Sequence, residues 1–158
     1  MATPLKNFLI ILFSFSLCSS AFAGWTKSVE KDEFDDKIFK LWFTATRSSG
    51  ALEFVFGCDN NGKFSLYWQY ARNGQTGVPA MDMGVVYRLD SDPPVEEEWS
   101  WLPINATIRP QDASAFMKKI ISKKKLAIKT TLGGDVGVFD ISGAGKAYQE
   151  AKKICKIT

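Results

Sequence analysis

Apolar and polar side chains alternate with a period of two along most of this chain, the pattern of strands that bury one face. In Ile38–Thr46, Phe39, Leu41, Phe43 and Ala45 stand against Lys40, Trp42 and Thr44. Ala51–Cys58 sets Leu52, Phe54 and Phe56 opposite Glu53 and Val55, and Phe64, Leu66, Trp68 and Tyr70 then oppose Ser65, Tyr67 and Gln69. Between these two runs lies Asp59-Asn60-Asn61-Gly62, a turn sequence tolerant of positive φ, so a hairpin is expected. After a glycine-containing loop, Asn73–Pro79, Met83–Asp90 is a further strand with Val85, Tyr87 and Leu89 on one side. Asp92-Pro93-Pro94 ends it, because proline brings no amide hydrogen to a ladder. Weaker strand patterns follow in Glu96–Leu102 and Ile104–Arg109, on either side of Pro103. Leu126–Thr131 and Val136–Ile141 flank Gly133-Gly134-Asp135 as a second hairpin.

The period changes to that of a helix twice. Pro110-Gln111-Asp112 opens a helix whose Ala113, Phe116, Met117, Ile120 and Ile121 share a face, and Lys118, Lys119 and Lys123–Lys125 gather at its negative end. Ser142 is a candidate cap for a last helix, along which Ala144, Ala147, Tyr148, Ala151, Ile154 and Cys155 form an apolar stripe. Lys31–Lys37 is read as a charged lead before the first strand. Short strands with two separate helices predict an α+β domain: mainly an antiparallel sheet or sandwich, covered by two helices. The βα alternation and the GxGxxG sequence of a dinucleotide fold are absent. No repeat or linker divides the chain, so residues 24–158 are read as one domain.

Residues 1–23 hold Lys6, then the apolar run Phe8–Leu17, broken only by Ser14 and Ser16. That run is too short for a bilayer core of about 30 Å. Ala21-Phe22-Ala23 puts small residues where a signal peptidase reads them, so a cleaved signal peptide is expected, with Gly24 as the mature N-terminus. Acylation at Cys18 is disfavoured by Leu17, where a small residue is needed. The mature chain is then periplasmic or secreted, with no stable membrane span. It keeps Cys58 and Cys155, an even count in an exported protein, for which a disulfide is the expected state and two buried free thiols the alternative. Such a bridge closes a loop of roughly 100 residues, which chain entropy values at about 4.7 kcal/mol at most.

Charge and chemistry narrow the function classes. The 158 residues carry a net charge of +3, and cleavage removes Lys6, a balance too even for nucleic acid or an anionic membrane. The chain has no histidine, which excludes Ser-His-Asp and Cys-His nucleophiles and histidine-held zinc. No catalytic set, metal site or cofactor is expected. Asp59, Asn61 and Gly62 faintly match a calcium loop, but Tyr70 stands where its closing glutamate belongs. Ser142 lacks the GxSxG frame of a nucleophile elbow, and Asn105-Ala106-Thr107 is a glycosylation sequon of consequence only in a eukaryotic secretory pathway. Two acidic clusters remain, Asp32 to Asp36 and Glu96–Glu98; they are solvated loops or, in a hydrolase, the source of a carboxylate pair such as Asp35 and Glu97. Arg88 and Asp90, at i and i+2, are either a partner-facing ion pair or a surface pair contributing under about 1 kcal/mol. Trp99 and Trp101 share one face of their strand and form either core or an exposed recognition strip.

Several of these features recur in one order: Trp25, a strand ending in Cys58, Val86-Tyr87-Arg88-Leu89-Asp90 before Pro93-Pro94 and Trp99, and Phe139-Asp140-Ile141-Ser142-Gly143 leading into a helix that closes with Cys155. In this the chain resembles the VasI/TagO-type proteins associated with type VI secretion clusters and their relatives in other bacterial and prophage settings. The resemblance implies a small non-enzymatic periplasmic accessory domain. Cys58 and Cys155 would be its structural bridge, and Tyr87, Arg88, Asp90 and Trp99 its signature positions. The leading functional expectation is an exported binding module for an envelope protein or cell-wall component. The alternatives are a glycan or peptidoglycan hydrolase acting through acidic residues, and an inhibitor or exclusion factor presenting a loop such as Asn73–Met83.

Overall fold

Residues 24–31, 38–49, 53–59, 61–69, 77, 79–133 and 136–155 are described by a computed structural model. Residues 1–23, expected to be a signal peptide, Asp35 and most of the loop Asn73–Pro79 lie outside the described residues. The chain runs β1 (Trp25–Lys31), β2 (Ile38–Ser49), β3 (Glu53–Cys58), β4 (Phe64–Gln69), β5 (Met81–Leu89) and β6 (Val95–Leu102). A short 3-10 turn at Pro103–Asn105 leads to β7 (Thr107–Pro110), α1 (Ala113–Ile120), β8 (Lys125–Thr130), β9 (Gly137–Asp140) and α2 (Ala144–Cys155).

The expected architecture is present: a mainly antiparallel sheet, two covering helices and one disulfide. Its order is β1-β2-β3-β4-β7-β6-β5-β8-β9, and a further pairing of β9 with β2 closes the strands from β2 to β9 into a ring. β1 and β9 lie end to end along the same edge of β2, β1 opposite residues up to Ala45 and β9 from Thr46 onward. Closure satisfies backbone groups that an open sheet leaves at its edges.

Strand β1 corrects the sequence reading, which treated Lys31–Lys37 as a lead and began the sheet at Ile38. Only Trp25 of its seven residues is buried, so the alternation that reveals other strands is missing. A ladder to β2, in unbroken register from Trp25 to Glu30, and the Trp25 indole N–H, which donates to the Ile141 carbonyl at 3.2 Å, hold it instead.

Both helices lie on the apolar face of the sheet. The Asp112 carboxylate accepts the Ala115 amide at 2.8 Å and caps α1, which buries Phe116, Met117 and Ile120. Helix α2 brings the small residues Ala144, Ala147 and Ala151 down onto β2 and β3, with Tyr148 against Phe56 and Phe64. The residue before α2 is Gly143, whose carbonyl accepts the Ala147 amide. Ser142, expected as the cap, sits one place further out and donates its own amide to Asp140. At the far end of α2, Cys155 is bonded to Cys58, with 5.9 Å between their Cα atoms.

Candidate functional site

The pleat of β6 sends Trp99 and Trp101 inward, and the same alternation puts Glu97, a charged residue, on that apolar face. Across the ladder Glu97 faces Val85, one inward position from Tyr87. Four groups meet there. The Tyr87 hydroxyl donates to Glu97 Oε1 at 2.8 Å and the Trp99 indole N–H donates to Oε2 at 3.4 Å. Lys119 of α1 donates to Glu97 Oε1 at 2.5 Å and to the Tyr87 oxygen at 3.1 Å. A cleft of about 320 Å³ opens beside the cluster, lined by Glu97, Glu98, Gln111, Asp112, Phe116 and Lys119 among others.

The electrostatics of the cluster favour a charged pair. Burial pushes the Glu97 carboxyl up, but the donors Lys119, Tyr87 and Trp99 together outweigh it and hold Glu97 below its ordinary value. The hydrogen bond from Lys119 to Glu97 in turn raises the lysine, against a smaller effect of burial. Burial is the main reason the Tyr87 phenol is raised. A carboxylate held ionised and used as an acceptor by three donors is poorly set to give up a proton as a general acid, which needs a raised pKa.

The surface candidates of the sequence are redistributed. Trp99 is fully buried and Trp101 is 8% exposed, so their shared face is core rather than an exposed strip. Trp99 meets Phe116 edge-on at 4.8 Å between ring centroids. Arg88 and Asp90 do not form the expected pair. β5 ends at Leu89, and Asp90 turns away with φ of 51°, its carboxylate accepting the amides of Lys124 and Lys125, each at 2.9 Å. Those backbone donors, that of Lys124 first, hold the Asp90 carboxyl below its ordinary value. Asp90 therefore fastens β5 to the start of β8, while Arg88 stays exposed on the outer face.

That outer face carries an aromatic surface the sequence reading did not single out. Trp42 of β2 and Tyr67 of β4 meet edge-on at 5.9 Å, and the Arg109 guanidinium of β7 lies 5.7 Å from the centre of the Tyr67 ring. All three are half-buried. Trp42 is paired in register with Gly57, where an added Cβ would stand 2.7 Å from the indole and 1.9 Å from the Leu41 carbonyl oxygen. The indole therefore lies close over the backbone of β3, in space that only glycine leaves. Burial, then Glu53, raises the Tyr67 phenol, with Arg109 opposing. A signal was present in the sequence: Trp42 and Tyr67 are large aromatic residues on the polar sides of their strands.

Among the described residues no helix is long and apolar enough to cross a membrane. Comparison with protein-family models, curated proteins and solved structures finds no match to this chain.

Proposed function

We propose that this chain is an exported, non-enzymatic binding module of the bacterial envelope, engaging an envelope protein or a cell-wall component through Trp42, Tyr67 and Arg109. One observation carries the reading: two large aromatic side chains and a guanidinium stand together on the outer face of the sheet, where residues of these types anchor partners. The disulfide is compatible with an extracytoplasmic site, since such bonds persist in oxidising compartments. The resemblance to VasI/TagO-type proteins supports an accessory role beside a secretion system or a prophage. Hydrolysis through Glu97 is the weaker reading, because its carboxylate is held ionised and occupied by Lys119, Tyr87 and Trp99.

The test is retention of the oxidised mature protein on immobilised periplasmic extract and on purified cell wall. Wild type is expected to be retained by one of the two, and a Trp42→Ala, Tyr67→Ala double variant to bind at least about tenfold more weakly. Equal retention of both proteins, or none of wild type, defeats the proposal. Turnover of cell wall by wild type that Glu97→Gln abolishes would revive the hydrolase.

A further inference from the structure

A second surface lies away from these aromatic residues, on the outer face of β5, β6 and β8. A groove of about 230 Å³ is lined there by Val86, Arg88, Pro94, Ala127, Lys129 and Val136 among others. Val136 is 43% exposed. On the groove's charged border Glu96, Arg88 and Lys129 are exposed and make no ion pair among the described residues.

The strand register accounts for this. Val86 is paired with Glu96 on one side and with Lys129 on the other, so one row across three strands reads acid, valine, base. Two strand spacings, about 10 Å, separate the acid from the base, and they make no ion pair across the valine.

We infer that this face is where a second copy of the chain docks. A half-turn about an axis along β5 through Val86 lays the face on its twin, sets valine over valine and reverses the row. Glu96 of each copy then meets Lys129 of the other, and the apolar floor of the groove is covered. Arg88, one pleat along β5, stands near the axis opposite its own twin, and the repulsion between the two guanidiniums turns each sideways toward the same glutamate. A peptide of a single charge sign satisfies only one end of the row and leaves the other unpaired. A self-complementary occupant satisfies both. The surface does not include Trp42, Tyr67 or Arg109, so the inference stands apart from the proposed partner site.

The experiment is sedimentation of the oxidised mature protein. Wild type is expected to dimerise. Lys129→Glu and Glu96→Lys, each placing like charges at both contacts, weaken the dimer at least about tenfold. Mixing these two variants forms a heterodimer, and the double exchange in one chain restores the homodimer. Melting temperatures unchanged at a dilution where wild type is monomeric confirm that the variants are folded, as expected for exposed side chains. A wild type that stays monomeric at about 1 mM overturns the inference, even if another protein binds this face. So does a dimer that the single reversals leave intact, or one that the charge exchange fails to restore.

Discussion

The two helices are fastened to the same sheet by different means, one of them covalent. Helix α2 is held by a covalent bond at its last residue, by three alanines against the strands and by Tyr148 among aromatic rings. Helix α1 has no covalent tie. It inserts Phe116 between Phe54, Tyr87 and Trp99 and seals that contact with the Lys119 bonds to Glu97 and Tyr87. The attachment of α2 therefore responds to oxidation, which that of α1 does not, while each helix also carries one lysine–glutamate pair, Glu150 of α2 with Lys27 of β1 and Lys119 of α1 with Glu97 of β6. The start of α2 lies against the end of α1, where a Cβ on Gly145 would approach the Ile121 carbonyl oxygen to 2.9 Å. Loosening either helix will be felt by the other through that contact.

Four measurements break or sharpen this contrast. The largest effect is expected from Phe116→Ala, which empties the ring cluster under α1 and should lower stability by about 3–5 kcal/mol in urea unfolding. A loss below about 1 kcal/mol means that α1 is not anchored through this ring. Replacing Cys58 and Cys155 by serine should lower stability by about 2–4 kcal/mol. Hydrogen exchange should then show α2 opening before α1, and equal loss of protection in both helices would contradict separate fastening. Asp112→Ala removes the α1 cap and should lower stability by about 1 kcal/mol, with the added exchange confined to the first turn of α1.

The smallest effect is the most diagnostic. The Glu97 carboxyl is lowered on folding, so its contribution is present above its ordinary value of 4.5 and is lost as pH falls through the lower folded value. The side chains of Lys119 and Glu97 are 45% and 31% exposed, which limits the pair to under about 1 kcal/mol. Glu97→Gln should flatten the decline in stability below pH 4.5, and the cysteine variant should keep the wild-type slope. Identical acid profiles for all three proteins would remove the charge from the account of α1.

The legible parts of the sequence share a cause. The β3–β4 and β8–β9 hairpins join adjacent segments through turn residues, and Asp59 accepts the amides of Asn61 and Lys63 as such a turn requires. The helices follow from their apolar stripes, and Asp112 caps α1 at the position the spacing implied. Cys58 and Cys155 were paired by elimination once Cys18 was assigned to the leader. Strand β1 was hidden because a largely exposed strand has no apolar alternation to show. Asp90 continued the strand pattern in sequence, yet its carboxylate serves amides more than thirty residues away. Trp99 and Trp101 could be placed on a common face but not on a side of the fold, since alternation separates two faces without saying which is covered.

What the sequence determined by itself was local: which residues share a face and where the chain turns. These follow from backbone geometry and from water excluded one side chain at a time. Tertiary structure alone decided the closure of β9 onto β2, the meeting of Lys119 with Glu97, and the row that sets Val86 between Glu96 and Lys129. Each joins residues that only the completed packing brings together, and no periodicity within a single segment encodes the register between distant ones.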